Sequence, residues 1–198
     1  MSLLPMENNM KNEDVRSSQV SVFRSEKNDV RQFDWSSWSP GVKSTLVFVK
    51  HNQNLLLIHK KTGLGQGKIN GPGGKVEPNE SWIECARREV YEELNIEVGS
   101  LHWSAELRFL MSDYPDILCH VFMTDTFSGE PSESREAKPF WCPISEIPYA
   151  QMWEDDQYWL PRALLGERVL GLFSFDKDQM LSLAVDRHEH QDDTPPVP

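Results

Sequence analysis

Three glutamates near the middle of the chain, Glu89, Glu92 and Glu93, share a short run with Arg88. A helix turns about 100° per residue, so positions three and four apart fall on one side and the carboxylates form one acidic face. Left alone, each pair repels by roughly a few tenths of a kcal/mol. In a last helical turn they also meet the negative end of the helix dipole. One reading is a solvated acidic surface. The residues upstream favour another. A glycine-rich loop from Gly63 to Gly74 runs straight into this helix. Backbone carbonyls that can approach closely, set beside carboxylates, are hard oxygen ligands suited to Mg²⁺. Such a cation would cancel the repulsion and draw phosphate oxygens to the site.

A second constellation lies in the stretch from Met152 to Pro161, which holds Trp153, Asp155, Asp156 and Trp159. Its plain reading is a helix capped by Asp155 or Asp156 with tryptophans in the core. Its functional reading is a purine pocket. An indole face stacks on a base, typically for ~1–3 kcal/mol. Two adjacent carboxylates in a dry pocket cannot both ionise cheaply, so one stays protonated and donates a hydrogen bond. A donor beside an acceptor can read an oxo-purine edge.

Short elements must position these groups. Thr45–Val49 and Asn54–Ile58 are β-rich runs split by a turn at His51, Asn52 and Gln53, which predicts a hairpin. Ser81 and Glu84 form a capping box at the start of the acidic helix. Ile83, Ala86 and Val90 mark its buried stripe. Asn95, tolerant of the left-handed conformation, ends it. Leu107–Met111 and Ile117–Met123 read as strands, and a last helix begins near Asp155 or Asp156 and runs to about Leu165. His120, alone in a strand, reads as a core residue. The pattern predicts an α+β fold, an α/β/α sandwich.

The 198 residues suit one domain with tails, expected as 1–40 mostly disordered with Trp35 and Trp38 docking on the domain, 41–185 folded and 186–198 disordered. The formal net charge of −11 argues against a polynucleotide partner, which needs clustered Lys and Arg. A small phosphorylated ligand remains open to a protein that offsets the repulsion with a cation. Cys85, Cys119 and Cys142 form neither a metal-ligand pair nor a disulfide framework, as in a reduced compartment. Neither a signal peptide nor a membrane-length apolar run is present, so a cytoplasmic protein with no membrane partner is expected.

The order Gly74, five residues, Glu80, seven residues, Arg88-Glu89-Val90, one residue, Glu92-Glu93, one residue, Asn95-Ile96 resembles the Nudix box. One position departs: the family has Gly where this chain has Asn95, and Asn reaches the same backbone state. The resemblance implies a mixed sheet with a catalytic loop and helix. It implies Glu89, Glu92 and Glu93 as ligands of Mg²⁺, or of Mn²⁺ in its place, together with the Gly73 carbonyl. Arg88 would orient the glutamates, Glu80 would support the loop, and Glu93 would be the general base, though the box does not dictate which glutamate takes the proton.

From about Thr45 to Phe175 the chain is similar to the MutT-homologue branch that clears oxidised purine nucleoside triphosphates. By position, Asn70, Asp155 and Asp156 would bond the base edge, with Trp153 stacked on it. Thr45, Lys60, Phe109, Met111 and Trp159 would line the pocket, Phe175 less distinctively, and Glu136 would join the metal site. Leu64 stands where the branch has an aromatic residue against the base. Ala137 replaces a larger apolar residue and would widen the pocket. The expected activity is conversion of a purine nucleoside triphosphate such as 8-oxo-dGTP to monophosphate and pyrophosphate by a monomer. The alternatives are a Nudix hydrolase of dinucleoside polyphosphates or nucleotide sugars, and a nucleotide-sensing or partner-binding module that kept the fold and lost turnover.

Overall fold

The computed structural model describes residues 20–23, 29–189 and 195. In chain order the elements are β1 (Val20–Phe23), β2 (Val42–His51), β3 (Asn54–Lys60), β4 (Ile69–Asn70) and α1 (Trp82–Leu94). They continue with β5 (Glu97–Val98), β6 (His102–Met111), β7 (Ile117–Thr124), β8 (Phe127–Ser128) and β9 (Ala137–Pro143). Then come α2 (Asp156–Leu164), β10 (Val169–Asp176) and β11 (Gln179–Arg187). Among the described residues, nine strands make one sheet in the order β1-β11-β10-β6-β7-β2-β3-β4, with β9 on the other edge of β3. The β2–β7 and β6–β10 pairs are parallel and the others antiparallel, so the sheet is mixed.

Alternation along the central strands sends side chains to two cores. Val47, Val49, Leu56 and Ile58 pack with Trp82, Ala86, Val90 and Leu94 of α1. Phe48, Leu55 and Leu57 pack on the opposite face with Trp159, Leu160 and Ala163 of α2. A helix on each face of a mixed sheet is the expected sandwich. No helix among the described residues is long and apolar enough to cross a membrane.

The hairpin β2–β3 pairs His51 with Asn54 and Val49 with Leu56, with Asn52 at positive φ in the turn. Beyond Val49 the two strands part. The glycine loop fills the gap: Thr45 and Val47 donate their N–H groups to the Gly74 and Pro72 carbonyls at 2.9 Å. Thus β2 carries the loop directly toward α1. The capping box forms as expected, with the Glu84 N–H on Ser81 Oγ and the Ser81 N–H on Glu84 Oε2. Asn95 ends α1 in the left-handed region, φ 57° and ψ 35°. The buried stripe differs in detail: it is Trp82, Cys85, Ala86, Val90 and Leu94, and Ile83 is only half-buried.

Within the N-terminal stretch before residue 41, Trp38 docks on the domain through Asp116. Val20–Phe23 adds antiparallel to β11, because an edge strand satisfies its backbone groups by pairing. Val30 is buried and donates its N–H to Ser182 Oγ at 3.1 Å. Trp35 and Trp38 pack edge to face at 5.2 Å, with the Arg108 guanidinium within 6 Å of both rings. At the other end β11 runs to Arg187, past the expected boundary at 185. The disorder expected for 1–19, 24–28, 190–194 and 196–198 lies outside the described residues. His120 is a core residue, held between Trp82 and Trp103. Burial lowers its pKa to about 4, and its Nδ1 has no hydrogen-bond partner among the described residues.

Ser81→Ala removes the side-chain half of the capping box. It is expected to lower unfolding stability by about 0.5–2 kcal/mol, measured by urea denaturation, with the sheet unchanged by circular dichroism.

Candidate active site

The acidic face of α1 forms where the glycine loop crosses it. Arg88 is its hub. The guanidinium grips Glu80 through Nε–Oε1 at 2.7 Å and Nη2–Oε2 at 2.9 Å. It also reaches Glu89 Oε1 at 2.8 Å, Glu92 Oε2 at 3.2 Å and the Lys75 carbonyl at 3.0 Å. Bidentate pairing of this kind holds both partners in orientation. Glu80 in turn accepts the Glu77 N–H, so it fastens the loop to the helix. The hydrogen bond from Arg88 lowers the Glu80 pKa, and the bond to Glu80 raises that of Arg88.

Glu93 lies deeper than its neighbours, at 2 % exposure. It accepts the Gly73 N–H at 3.0 Å and the Lys60 ammonium at 3.1 Å. Burial raises its pKa, against the pull of Lys60 and of the Gly73 N–H. Burial also raises Glu89, against the hydrogen bond and charge of Arg88. Lys60, expected in the base pocket, therefore stands between two regions: it lines the cavity and neutralises a helix carboxylate.

Does this group suit a divalent cation? Among the described residues no three His, Cys, Asp or Glu side chains converge as a closed metal cluster. There Arg88 pairs with Glu89 and Glu92, and Lys60 with Glu93. The donor chemistry fits nonetheless. Glu89, Glu92 and Glu93 offer only oxygen, which hard cations prefer. A Cβ on Gly74 would run into the Glu89 carboxylate, so this glycine leaves the space in which backbone and carboxylate meet. Pro72 and Gly74 turn their carbonyls to β2. Glu136 lies across the cleft, exposed, and its charge raises the Glu93 pKa further.

A cavity of about 450 Å³ lies along β2 and β6, and Lys60 and Gly73, which bond Glu93, are among its lining. Of the residues expected there, Thr45, Lys60, Leu64, Asn70, Phe109, Met111, Trp153, Asp155 and Asp156 line it, as do Gly73, Glu136 and Phe175. Trp159 does not line it. It is fully buried behind the wall, where its Nε1–H donates to Asp155 Oδ2 at 3.0 Å, because its indole is needed in the α2 core. Ala137 does not widen the cavity either, for it packs in the α1-side core. Thr45 is buried with its hydroxyl 3.3 Å from Cys85 Sγ. Leu64 is 43 % exposed and leaves one wall open.

Asp155 and Asp156 are 3 % and 2 % exposed. Asp156 Oδ2 accepts the Trp153 N–H at 3.1 Å, so the pair is braced from behind by Trp159 and from the side by Trp153. Burial raises Asp155 to about 7, and burial with the adjacent Asp155 charge raises Asp156 well above the ordinary range. Asn70 Oδ1 accepts the Gly71 N–H at 2.8 Å. One residue escaped sequence reasoning: Lys68 places its ammonium 4.7 Å from the Trp153 ring centroid. A lysine in a polar loop carries no periodic signal that could have revealed it.

Residues 41–163 match the family model of the NUDIX domain. The chain belongs to the Nudix hydrolase family. It is 42 % identical over 132 residues to a zebrafish (Danio rerio) protein named oxidized purine nucleoside triphosphate hydrolase, covering 66 % of this chain and 85 % of that one. To the mouse (Mus musculus) protein of that name it is 39 % identical over 143 residues, 71 % and 92 % of the two chains. A solved MutT protein from Bacillus halodurans superposes with a TM-score of 0.65 at 25 % identity, covering 73 % of this chain and 97 % of that one. Nudix hydrolases generally need a divalent cation, in keeping with the all-oxygen donor set on α1.

The acidic face of α1 and the buried Asp155–Asp156 pair thus lie at separate places, joined by the cavity-lining Lys60 and Gly73 on the α1 side. For Asp155 and Asp156 the folded pKa lies above the unfolded value of 3.8. Above the unfolded value the native state binds more protons, so the pair makes stability fall as pH rises from about 4 upward. The double variant Asp155→Asn, Asp156→Asn should flatten that part of the profile, measured by urea denaturation from pH 4 to 8.

Proposed function

We propose that the chain hydrolyses oxidised purine nucleoside triphosphates such as 8-oxo-dGTP to the monophosphate and pyrophosphate, as an Mg²⁺-dependent cytoplasmic monomer. The observation that carries this reading is the buried Asp155–Asp156 pair beside Trp153 in a cavity also lined by Lys60 and Gly73, the two residues that bond Glu93. The names of the zebrafish and mouse relatives, each about 40 % identical, support the same substrate class.

In this reading the base lies against the Trp153 indole. The carboxyl that keeps its proton donates to the purine carbonyl, and its ionised neighbour accepts from a ring N–H. An 8-oxo purine carries an N7–H that guanine lacks, so a donor–acceptor pair separates the two. Asn70 offers its amide N–H₂ to the same edge, since its oxygen is already engaged. The triphosphate then points toward the glycine loop and α1. Glu89, Glu92 and Glu93, with the Gly73 carbonyl and Glu136, would hold the cation. Bound there, Mg²⁺ supplies positive charge to the phosphate oxygens and makes water more acidic.

Glu93 is the general base. Its raised pKa brings it closer to the operating pH, which favours proton acceptance in the transition state. Water gives its proton to Glu93 as its oxygen attacks phosphorus, and the α–β anhydride bond breaks to release pyrophosphate. Arg88 keeps the neighbouring carboxylates in place through Glu80 and Lys75. The three cysteines are free and buried, as suits a reducing compartment.

A panel of oxidised and normal nucleotides assayed with Mg²⁺ for pyrophosphate release tests the reading. The oxidised purine triphosphates should give the highest kcat/KM; preference for a dinucleoside polyphosphate or a nucleotide sugar would sink it. Glu93→Gln should keep the fold and lose turnover by at least ~10²-fold, the lower range for a general base. Asp156→Asn should erase the choice among bases while leaving slow hydrolysis.

A further inference from the structure

The cavity's outer rim is the turn between β6 and β7, and the N-terminal segment is fastened to it. Trp38 lies ahead of the residues matched to the family. Its Nε1–H donates to Asp116 Oδ2 at 2.8 Å. The other oxygen of that carboxylate, Oδ1, accepts the Met111 N–H at 3.0 Å, and the Asp116 carbonyl accepts the Val42 N–H at 3.0 Å. Met111, Val42 and Tyr114 all line the cavity. A single aspartate thus ties two walls of the cavity together, and the indole N–H sets how that aspartate is turned.

The fastening has support on both sides. Trp38 packs on Trp35 at 5.2 Å, and Trp35 Nε1–H donates to the Val30 carbonyl at 2.7 Å. Val30 is anchored in turn to β11 through Ser182. The Arg108 guanidinium, 5.7 Å from the Trp38 ring centroid, holds the indole from β6. On the far side, Gly41 packs so closely on Pro115 that a Cβ there would meet Pro115 Cβ at 2.7 Å. Tyr114 carries the position of the turn to the glycine loop, with the Lys75 ammonium 5.5 Å from its ring centroid.

We propose that Trp38 is a positioning residue for substrate selection: through Asp116 it sets the place of the Met111 and Tyr114 rim against the bound nucleoside. This rests on the reading that the cavity receives the base. A rim held by the protein's own N-terminal segment needs no ordering when substrate binds, so the bond contributes to binding more than to the chemical step. Loss of one such hydrogen bond is worth roughly two- to tenfold in an equilibrium.

The test uses the full chain with Trp38→Phe, which keeps the ring on Arg108 and removes the N–H, and with Asp116→Asn, which keeps an acceptor for Met111. Two readouts are needed. By amide exchange of the free protein, the Met111 N–H should exchange roughly two- to tenfold faster in Trp38→Phe than in the parent chain. By steady-state kinetics with 8-oxo-dGTP and Mg²⁺, KM should rise by a similar factor in either variant with kcat unchanged. The double variant should be no worse than the worse single, because both act on one bond. Unchanged Met111 exchange, an unchanged KM, or a loss confined to kcat would each overturn the proposal. Should the parent chain turn over no oxidised purine nucleotide, the substrate assignment fails, and Met111 exchange still judges the role of Trp38.

Discussion

The backbone of Gly73 and Gly74 runs in a gap with no room for side chains, between β2 on one side and Glu89 on the other. A Cβ at Gly73 would strike the Thr45 carbonyl, and one at Gly74 the Glu89 carboxylate. This close approach lets β2 hold the loop by paired hydrogen bonds while the loop lies on α1. The Gly73 N–H then reaches Glu93, and the Lys75 carbonyl reaches Arg88. Widen the gap and the loop, the helix face and the cavity floor come apart together.

Electrostatics divide the cleft. On α1 the carboxylates are partly buried and crowded, and Arg88 and Lys60 meet their charge one by one. The Asp155–Asp156 pair is the reverse case. It sits at the start of α2, enclosed by Trp153, Trp159 and the cavity wall, and burial itself favours protonated carboxyls there. One cleft thus carries two sets of acidic groups, the α1 glutamates paired with Arg88 and Lys60 and the Asp155–Asp156 pair enclosed at the start of α2.

The N-terminal segment adds a third element to this division. Trp35 and Trp38 hold a surface arginine and, through Asp116, the turn that closes the cavity. Their exposed neighbour Phe33 joins the same edge-to-face cluster at 4.9 Å from Trp35. The segment lies outside the cavity lining and touches it through Asp116, which bonds Met111 and Val42.

Local chemistry made α1 legible from the residues alone. A capping box, an Asn at the left-handed end and glutamates at helical spacing are rules that act within a few residues, and each holds in the fold. The hairpin was equally readable, and so was membership of the family, because the spacing from Gly74 to Ile96 reflects one loop and one helix. Strands β9, β10 and β11 escaped notice, since a strand is stabilised by partners distant in the chain: β10 rests on β6 and β11, and β9 on β3. The same holds for single residues. Whether Trp159 faces a nucleoside or a core, whether Ala137 borders a cavity, and whether Lys60 serves the base or Glu93 depend on which face of the sheet each occupies. The residues at hand dictated which chemical groups the protein brings; only packing across the sheet decided which of them meet.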